Sequence, residues 1–280
     1  MKIHAYMASL TSWLVLFRHL IVACFIAIFA AYLSVLTDIF GLPVALIIVS
    51  FFSILARIRI VANLHLVLDS QAELNKIEKY TLAKDIVLID EIGEVYGDYL
   101  QVIQASRLKE SPELYIYSSK KESNAFSVGT LSRGAVIMTI PFLLKYSADA
   151  RKGAFAHELK HIINQDSIFG FFVFRLRKLI RVATPITLVL ALLDHHWPIV
   201  VLLFVLTYII LPLFNIQRGK ISEHLADAYA VSLGFGKELI TYLVQYAAAK
   251  KKTPLTSKIF FVFTDHPDVF NRIERISHFI

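Results

Sequence analysis

The chain has 280 residues, of which 56% are hydrophobic and 18% are charged, and its mean hydropathy is +0.61. A typical soluble enzyme is less apolar, so the composition favours a membrane protein. The formal net charge is +7 and the sequence pI is about 9.3. Since no nucleic-acid-binding motif accompanies this charge, we attribute it to contact with anionic lipid headgroups and expect no nucleic-acid partner.

Two apolar runs near the N-terminus predict a transmembrane helical hairpin. They cover residues 20–36 and 42–56 and are joined by a short link at 38–41. Each run is near the lower length limit for a membrane span, and flanking residues can extend it. We expect no cleaved signal peptide, because the second span follows immediately and no clear small-residue cleavage site is present. Cys24 is the single cysteine, so neither an intrachain disulfide nor a cysteine-ligated metal is expected.

The segment after this hairpin predicts a helix and then a small sheet. Residues 67–108 interleave acidic and apolar residues with little proline, which favours a helix. Alternating stretches at 113–117, 124–128 and 135–140 predict strands, with turns at 118–121 and 129–134. Asn124, Ala125 and Phe126 form the best candidate edge for an extended substrate peptide to join as an added strand. An ordinary hairpin strand is the open alternative.

The run His157-Glu158-Leu159-Lys160-His161 has the H-E-x-x-H pattern of zinc hydrolases. Residues four apart share one face of a helix, so both imidazoles can bind one metal while Glu158 reaches a water as general base. Residues 150–163 predict the required helix, with Ser147 as its cap and Asp149 in its first turn. The alternative is an amphipathic helix whose polar face holds these residues by chance.

A candidate third ligand occurs downstream in Glu223-His224-Leu225-Ala226-Asp227. Glu223 and Asp227 are four apart and share a helical face, so Glu223 can bind the metal. Asp227 can then accept a hydrogen bond from a ligating histidine and orient its ring. His224 is the rival ligand, but it points away from that face. Without the first motif, an ordinary solvated helix would be the better interpretation.

A second apolar hairpin is predicted between the two metal motifs. Its runs cover residues 182–193 and 197–214, with Pro185 interrupting the first. The basic residues that flank the four runs all lie at the ends of the hairpins opposite their turns. The ionisable residues of the two turns are acids and histidines only. The positive-inside rule therefore predicts that both termini and the metal motifs face the cytoplasm. A buried hairpin in a soluble domain is the alternative, and the total apolar content argues against it.

A last constellation lies near the C-terminus. Asp265 and His266 precede Pro267, which can start a helix, and Arg272 follows. His266 and Arg272 could donate hydrogen bonds to a developing oxyanion. A capped surface helix is the simpler interpretation of these residues alone.

Together these motifs resemble the HtpX-type membrane zinc metalloproteases, which are relatives of the CAAX prenyl proteases. The resemblance includes the H-E-x-x-H at 157–161 followed by Asp166, the E-x-x-A-D at 223–227, the N-A-F at 124–126, and His266-Pro267 with Arg272. The order of the motifs and the inserted hairpin agree as well. Lys160 stands where the family usually has a small residue.

The resemblance implies a role for each motif. Zinc would be bound by His157, His161 and Glu223, with Glu158 as base and Asp227 and Asp166 orienting the ligands. The N-A-F strand would bind substrate, and His266 and Arg272 would lie at the active site. The implied substrates are membrane or misfolded proteins, and the implied location is a bacterial inner membrane.

We therefore predict a mainly α membrane protein with about four transmembrane helices in two hairpins and a zincin-like α+β catalytic domain. The hairpins are placed at 1–62 and 169–217, and the two halves of the catalytic domain at 63–168 and 218–280. The predicted activity is zinc-dependent endopeptidase, with one Zn²⁺ per chain and the lipid bilayer and a peptide or protein substrate as partners. A CAAX-type prenyl protease, a non-enzymatic membrane chaperone or scaffold, and a four-helix transporter are the alternatives. Transport is disfavoured because the runs lack charged pairs near their centres.

Overall fold

The computed structural model describes residues 2–40, 86–88, 93–117, 124–129, 134–170, 197–249 and 267–280, with scattered positions between 173 and 189. These residues are mostly helical, with one small mixed sheet. The helices are α1 (Lys2–Phe40), α2 (Glu94–Ser106), α3 (Ile140–Lys145), α4 (Ala148–Ile163), α5 (Trp197–Val205), α6 (Leu211–Ser232), α7 (Gly236–Ala249) and α8 (Val269–Ser277). The strands are β1 (Ile86–Leu88), β2 (Glu113–Tyr117), β3 (Ala125–Gly129) and β4 (Gly134–Thr139).

Helix α1 is long, apolar and only partly covered by protein. Among the described residues, its segment Lys2–Tyr32 is the one helix long and apolar enough to cross a membrane. Large apolar side chains along it are exposed, including Trp13, Ile26 and Phe29. Contiguous apolar exposure of this kind suits contact with lipid. The helix also includes residues 38–40, so most of the predicted link at 38–41 is helical, and the predicted run at 42–56 lies outside the described residues.

The sheet has the order β1-β2-β4-β3, and its strands β3 and β4 pack against α4. The described residues of the predicted catalytic domain, 63–168 and 218–280, are here called the catalytic half. β2 pairs parallel with β4, whereas β1 pairs antiparallel with β2 and β3 pairs antiparallel with β4. All six residues of β4 are buried, as expected for an interior strand. β3 therefore lies at an edge of the sheet within the described part of the chain. The predicted strands agree to within one residue at each end.

Helix α4 is the centre of the catalytic half. It packs on β3 and β4, on α7, and on α2 and α6. Gly153 permits the crossing with α7, since an added Cβ would lie 2.4 Å from the backbone nitrogen of Leu239. The core around it consists of the apolar side chains of Tyr99, Val102, Val136, Met138, Phe155, Leu159, Ile162, Leu239 and Leu243. This packing fixes the orientation of the helix that carries the H-E-x-x-H motif.

A continuous helical rod joins the predicted fourth span to the second metal motif. α5 passes into a π-helical turn, Leu206–Ile210, and then directly into α6. Within this rod, Leu211 packs on the C-terminal half of α1. Leu225, farther along the rod, packs on Leu10 and Leu14 in the N-terminal half of α1. The predicted run at 182–193 lies largely outside the described residues, and the count of four spans stays a prediction.

Two expectations about local structure are wrong. Residues 86–88 form β1 rather than part of a helix over 67–108, because pairing with β2 satisfies their backbone in the sheet. Helix α8 begins after Asp268, which caps it by accepting a hydrogen bond from the Asn271 backbone, and not at Pro267. Pro267 lies before this cap instead of in the first helical turn.

Candidate metal centre

The two histidines of the H-E-x-x-H motif lie on one face of α4. Ser147 caps the helix by accepting a hydrogen bond from the Ala150 backbone, and Asp149 lies in the first turn, both as predicted. His157 is buried and His161 is half-buried, and their Nε2 atoms are 3.2 Å apart. Helical spacing therefore turns both rings toward the same point.

Helix α6 adds a carboxylate to that point. Glu223 lies with its Oε2 3.4 Å from His157 Nε2 and its Oε1 3.6 Å from His161 Nε2. A tetrahedral metal with bonds of about 2.0–2.2 Å separates its ligand atoms by roughly 3.4 Å. His157, His161 and Glu223 thus form a group able to hold a metal ion.

The outer nitrogen of each imidazole is engaged by a carboxylate. Nδ1 of His157 is 2.9 Å from Asp227 Oδ1, and Nδ1 of His161 is 2.9 Å from Asp166 Oδ2. If each Nδ1 donates its proton to its aspartate, the two Nε2 lone pairs and the Glu223 carboxylate converge with no proton between them. A cation is needed to stabilise such an arrangement, so the donor set fits zinc.

The pKa values of the buried groups reflect burial and the charges and hydrogen bonds of their neighbours. Burial would lower the pKa of His157, but its hydrogen bonds with Asp227 and Glu223 outweigh burial and raise that pKa to about 10. Burial would raise the pKa of Asp227, but the charge of Arg272 and the bond to His157 lower it to about 2. Asp166 likewise keeps a lowered pKa despite burial, through its bonds with His161 and Ser222. The centre therefore favours positive charge at the position where a metal would bind.

Arg272 of α8 joins two of these carboxylates. Its Nε and one terminal nitrogen donate to Asp227 at 2.8 and 2.6 Å, and its other terminal nitrogen lies 3.1 Å from Glu223 Oε2. Its side chain is buried. These contacts orient Glu223, the predicted third ligand, and Asp227. They also occupy the guanidinium nitrogens of Arg272, which the sequence predicts to donate to an oxyanion.

Glu158 lies beside the edge strand. Its Oε2 accepts a hydrogen bond of 2.8 Å from the Ser127 hydroxyl of β3, and the Ser127 carbonyl accepts one of 3.0 Å from Ser167. Asn124 precedes the strand and is exposed, while Ala125 is buried and Phe126 is half-buried. The predicted base thus contacts the edge strand at Ser127, the residue that directly follows the predicted substrate edge.

The remaining predicted positions divide into three cases. His224 is half-buried and lies outside the group of His157, His161 and Glu223, and burial together with Arg275 lowers its pKa to about 4. Lys160 extends over the Tyr229 ring, with Nζ 5.3 Å from the centroid. His266 lies outside the described residues, and its role stays a prediction.

Comparison with known families decides the family to which this centre belongs. Residues 92–280, which include the three predicted metal ligands, the predicted base and the aspartates beside the histidines, match Peptidase family M48. The chain belongs to this family. It is therefore a member of a metallopeptidase family, and the family relationship predicted from the motifs is confirmed. No curated protein matches the chain.

The M48 chain also has the fold of a solved structure, Ste24p of S. mikatae. The TM-score is 0.55 at 14% sequence identity, and the match covers 89% of this chain and 61% of the Ste24p chain. The chain thus spans less than two thirds of that relative. At this identity the likeness concerns the fold alone.

Three contributors to the centre were missed by sequence reasoning: Ser127, Ser222 and Arg18. Ser222 donates to Asp166, Ser127 donates to Glu158, and Arg18 contacts Asp166 from α1. The sequence offers a weak signal for Ser222 alone, which directly precedes Glu223. Ser127 and Arg18 reach the centre through tertiary packing, which no local spacing indicates.

Proposed function

We propose that the protein is a membrane-embedded, zinc-dependent endopeptidase that cleaves membrane proteins or misfolded segments at the cytoplasmic face. The observation that supports this most directly is the convergence of His157, His161 and Glu223 on one point, with Glu158 beside it. Membership of Peptidase family M48 supports the reaction class.

In this proposal each residue of the centre has a separate task. His157, His161 and Glu223 would hold zinc, which when bound would supply Lewis-acid chemistry for a peptide carbonyl and a water molecule. Glu158 takes the proton of the attacking water and passes it to the leaving amine. Ser127 holds the Glu158 carboxylate toward the strand through its hydrogen bond.

The carboxylates around the ligands act indirectly. Asp227 and Asp166 fix the tautomers of His157 and His161, so that each Nε2 presents a lone pair. Arg272 aligns Asp227 with Glu223 and neutralises their mutual repulsion. We assign Arg272 to positioning, and His266 stays the candidate for donation to the oxyanion.

The outer edge of β3 is proposed as the substrate site. A peptide added there would pair with the outer main chain of Ala125–Gly129 and lie across the end of the sheet nearest Glu158. The backbone nitrogen of Asn124 donates a hydrogen bond of 2.9 Å to the Thr139 hydroxyl. The side chain of Asn124 is exposed, and in this proposal it is available to a substrate.

The membrane location is supported by sequence and surface together. The apolar side chains exposed along α1 and residues 197–213 suit lipid, and the flanking basic residues suit the cytoplasmic side. Four spans in two hairpins, and the inner membrane, are part of the proposal.

The test is metal content and cleavage by detergent-purified protein. We expect about one zinc per wild-type chain, loss of zinc in Glu223→Ala, and retention in the adjacent control His224→Ala, because only Glu223 lies on the ligand face. Casein should be cleaved by wild type and by His224→Ala, and a prenylated CAAX peptide tested in parallel should not be preferred. A metal-free His224 variant beside a zinc-loaded Glu223 variant would contradict the ligand assignment.

A further inference from the structure

Asp166 connects the predicted ligand His161 to groups outside the metal motifs. Helix α4 ends at Ile163, and a turn at 164–165, in which Gln165 has a left-handed φ of 57°, separates it from the helical residues 166–170. Asp166 follows this turn and lies beside His161, with Oδ2 2.9 Å from Nδ1. A non-glycine residue in this region is uncommon, and such conformations concentrate at functional sites.

Arg18 of α1 secures this turn from 148 positions away in the sequence. One of its terminal nitrogens donates to Asp166 Oδ1 at 2.9 Å and to the Asn164 carbonyl at 2.7 Å. Its guanidinium also lies 5.1 Å from the centre of the Phe169 ring. Arg18 thus contacts the turn on both sides of Gln165, at a side chain and at the main chain.

The location of Arg18 on α1 makes this contact unusual. The positive-inside rule predicts a solvent-facing arginine that meets lipid headgroups. The side chain is instead only 25% exposed and turns toward a carboxylate that is 11% exposed. A charge on an apolar helix is costly unless it is paired, and it is usually functional. Arg218 of α6 approaches the same Asp166 oxygen, but at 3.6 Å.

We propose that Arg18 is a positioning residue of the metal centre, which holds Asp166 and thereby the ring of His161. Helix α1, which lies wholly outside the part of the chain that matches the family, then contributes to the centre as well as to membrane attachment. The inference rests on the proposed zinc site, since its effect is exerted on a zinc ligand.

The test compares zinc affinity in full-length, detergent-purified variants. Arg18→Met should weaken zinc binding about tenfold or more, the usual effect of losing a group that orients a metal ligand. Arg275→Met is the matched control. Arg275 also joins the catalytic half to α1, through the Tyr6 hydroxyl at 3.3 Å, but it touches neither Asp166 nor a predicted ligand. Its affinity should stay within about twofold of wild type.

A double-mutant cycle separates positioning from packing. In an Asp166→Asn background, Arg18→Met should weaken zinc binding by no more than about twofold, because the group through which it acts has been altered. The visible spectrum of the cobalt-substituted protein should change in Arg18→Met and not in Arg275→Met. If Arg18→Met does not purify folded, Arg18→Gln takes its place in the same cycle, since it keeps a donor without the charge.

Three results would overturn the inference, and they are distinguishable. Wild-type affinity and an unchanged cobalt spectrum in the Arg18 variant would show that Asp166 needs no help from α1. An equal loss of affinity in both backgrounds would show that Arg18 acts by packing. A wild-type protein without zinc affinity would overturn the proposed function, and this inference with it.

Discussion

At the residue scale, the centre consists of carboxylates and imidazoles enclosed by arginines. The point where zinc would bind is surrounded by imidazole lone pairs and Glu223, the next layer is Asp227 and Asp166, and beyond these lie Arg272 and Arg18. Each buried charge has an opposite partner, which is the condition for its being tolerated away from water. Removing one member should therefore affect the members on both sides.

Glu158 is the residue whose loss should separate binding from chemistry. Glu158→Gln keeps the size of the side chain but cannot accept a proton, so casein cleavage should fall by about a hundredfold or more. Zinc stoichiometry should be unchanged, because Glu158 is not among the convergent ligand atoms. Glu274→Gln, on the exposed face of α8, is the control and should cleave normally. Substantial activity in Glu158→Gln would remove this residue from the mechanism.

Ser127 offers a finer test of how the base is positioned. Ser127→Ala removes the donor 2.8 Å from Glu158 Oε2, and loss of one such hydrogen bond corresponds to roughly a five- to tenfold decrease in kcat. KM should change little, because the main chain of β3 is unaltered. Ser127→Thr should restore most of the rate, since it keeps the hydroxyl and suits a strand.

The control for this pair is Ser277→Ala. Ser277 donates to the Ile273 carbonyl within its own helix, and among the described residues it makes no hydrogen bond to the strand or to Glu158. A rise in KM at constant kcat in Ser127→Ala would indicate that the residue serves substrate binding and not the base.

At the element scale, the crossing of α4 and α7 determines whether the histidines point correctly. Gly153 is the contact point, and the backbones approach too closely there for any side chain. The same two helices are held farther along by Gln245, whose side chain donates to the Ser147 hydroxyl at 3.1 Å. The position of α4 is thus specified at its start and at its middle.

Gly153→Ala should therefore destabilise the protein. A Cβ 2.4 Å from the Leu239 nitrogen forces the two helices apart, and overpacking of this kind costs about 1–3 kcal/mol. Gly97→Ala in α2 is the matched control, because nothing lies within 4 Å of its added Cβ. That change should stabilise by roughly 0.5–1 kcal/mol through helix propensity. Thermal unfolding of the zinc-free proteins in detergent measures both, and equal unfolding temperatures for the two variants would contradict the packing argument.

At the scale of the whole molecule, two helices join the metal centre to the apolar surface. α1 packs on the rod at two levels, through Leu10 and Leu14 beside Leu225 and through Ile21 and Ile28 beside Leu211. The rod formed by α5, the π-helical turn and α6 carries exposed apolar residues at one end and Glu223 at the other. Movement of either helix would be transmitted to a predicted ligand or to its supporting aspartate.

The proposed orientation predicts which positions are accessible from each side of the membrane. In a Cys24→Ala background, Asp149→Cys should react with a membrane-impermeant maleimide only after cells are opened, because the catalytic half is proposed to be cytoplasmic. Asp149 is suited to labelling, since its side chain is 67% exposed. His196→Cys, in the predicted outer turn, should react in intact cells. The reverse pattern would invert the topology.

The amino-acid sequence by itself determined the groups whose geometry is local. The spacing of His157 and His161, the cap at Ser147 and the pairing of Glu223 with Asp227 on one face all follow from helical periodicity, and the structure has each of them. Only the tertiary structure decided which distant groups meet. The bonds of Arg18 to Asp166, Arg272 to Asp227 and Ser127 to Glu158 join residues 148, 45 and 31 positions apart, and β1 depends on pairing with β2. Such contacts depend on how packed elements cross, which a periodic pattern along one element does not specify.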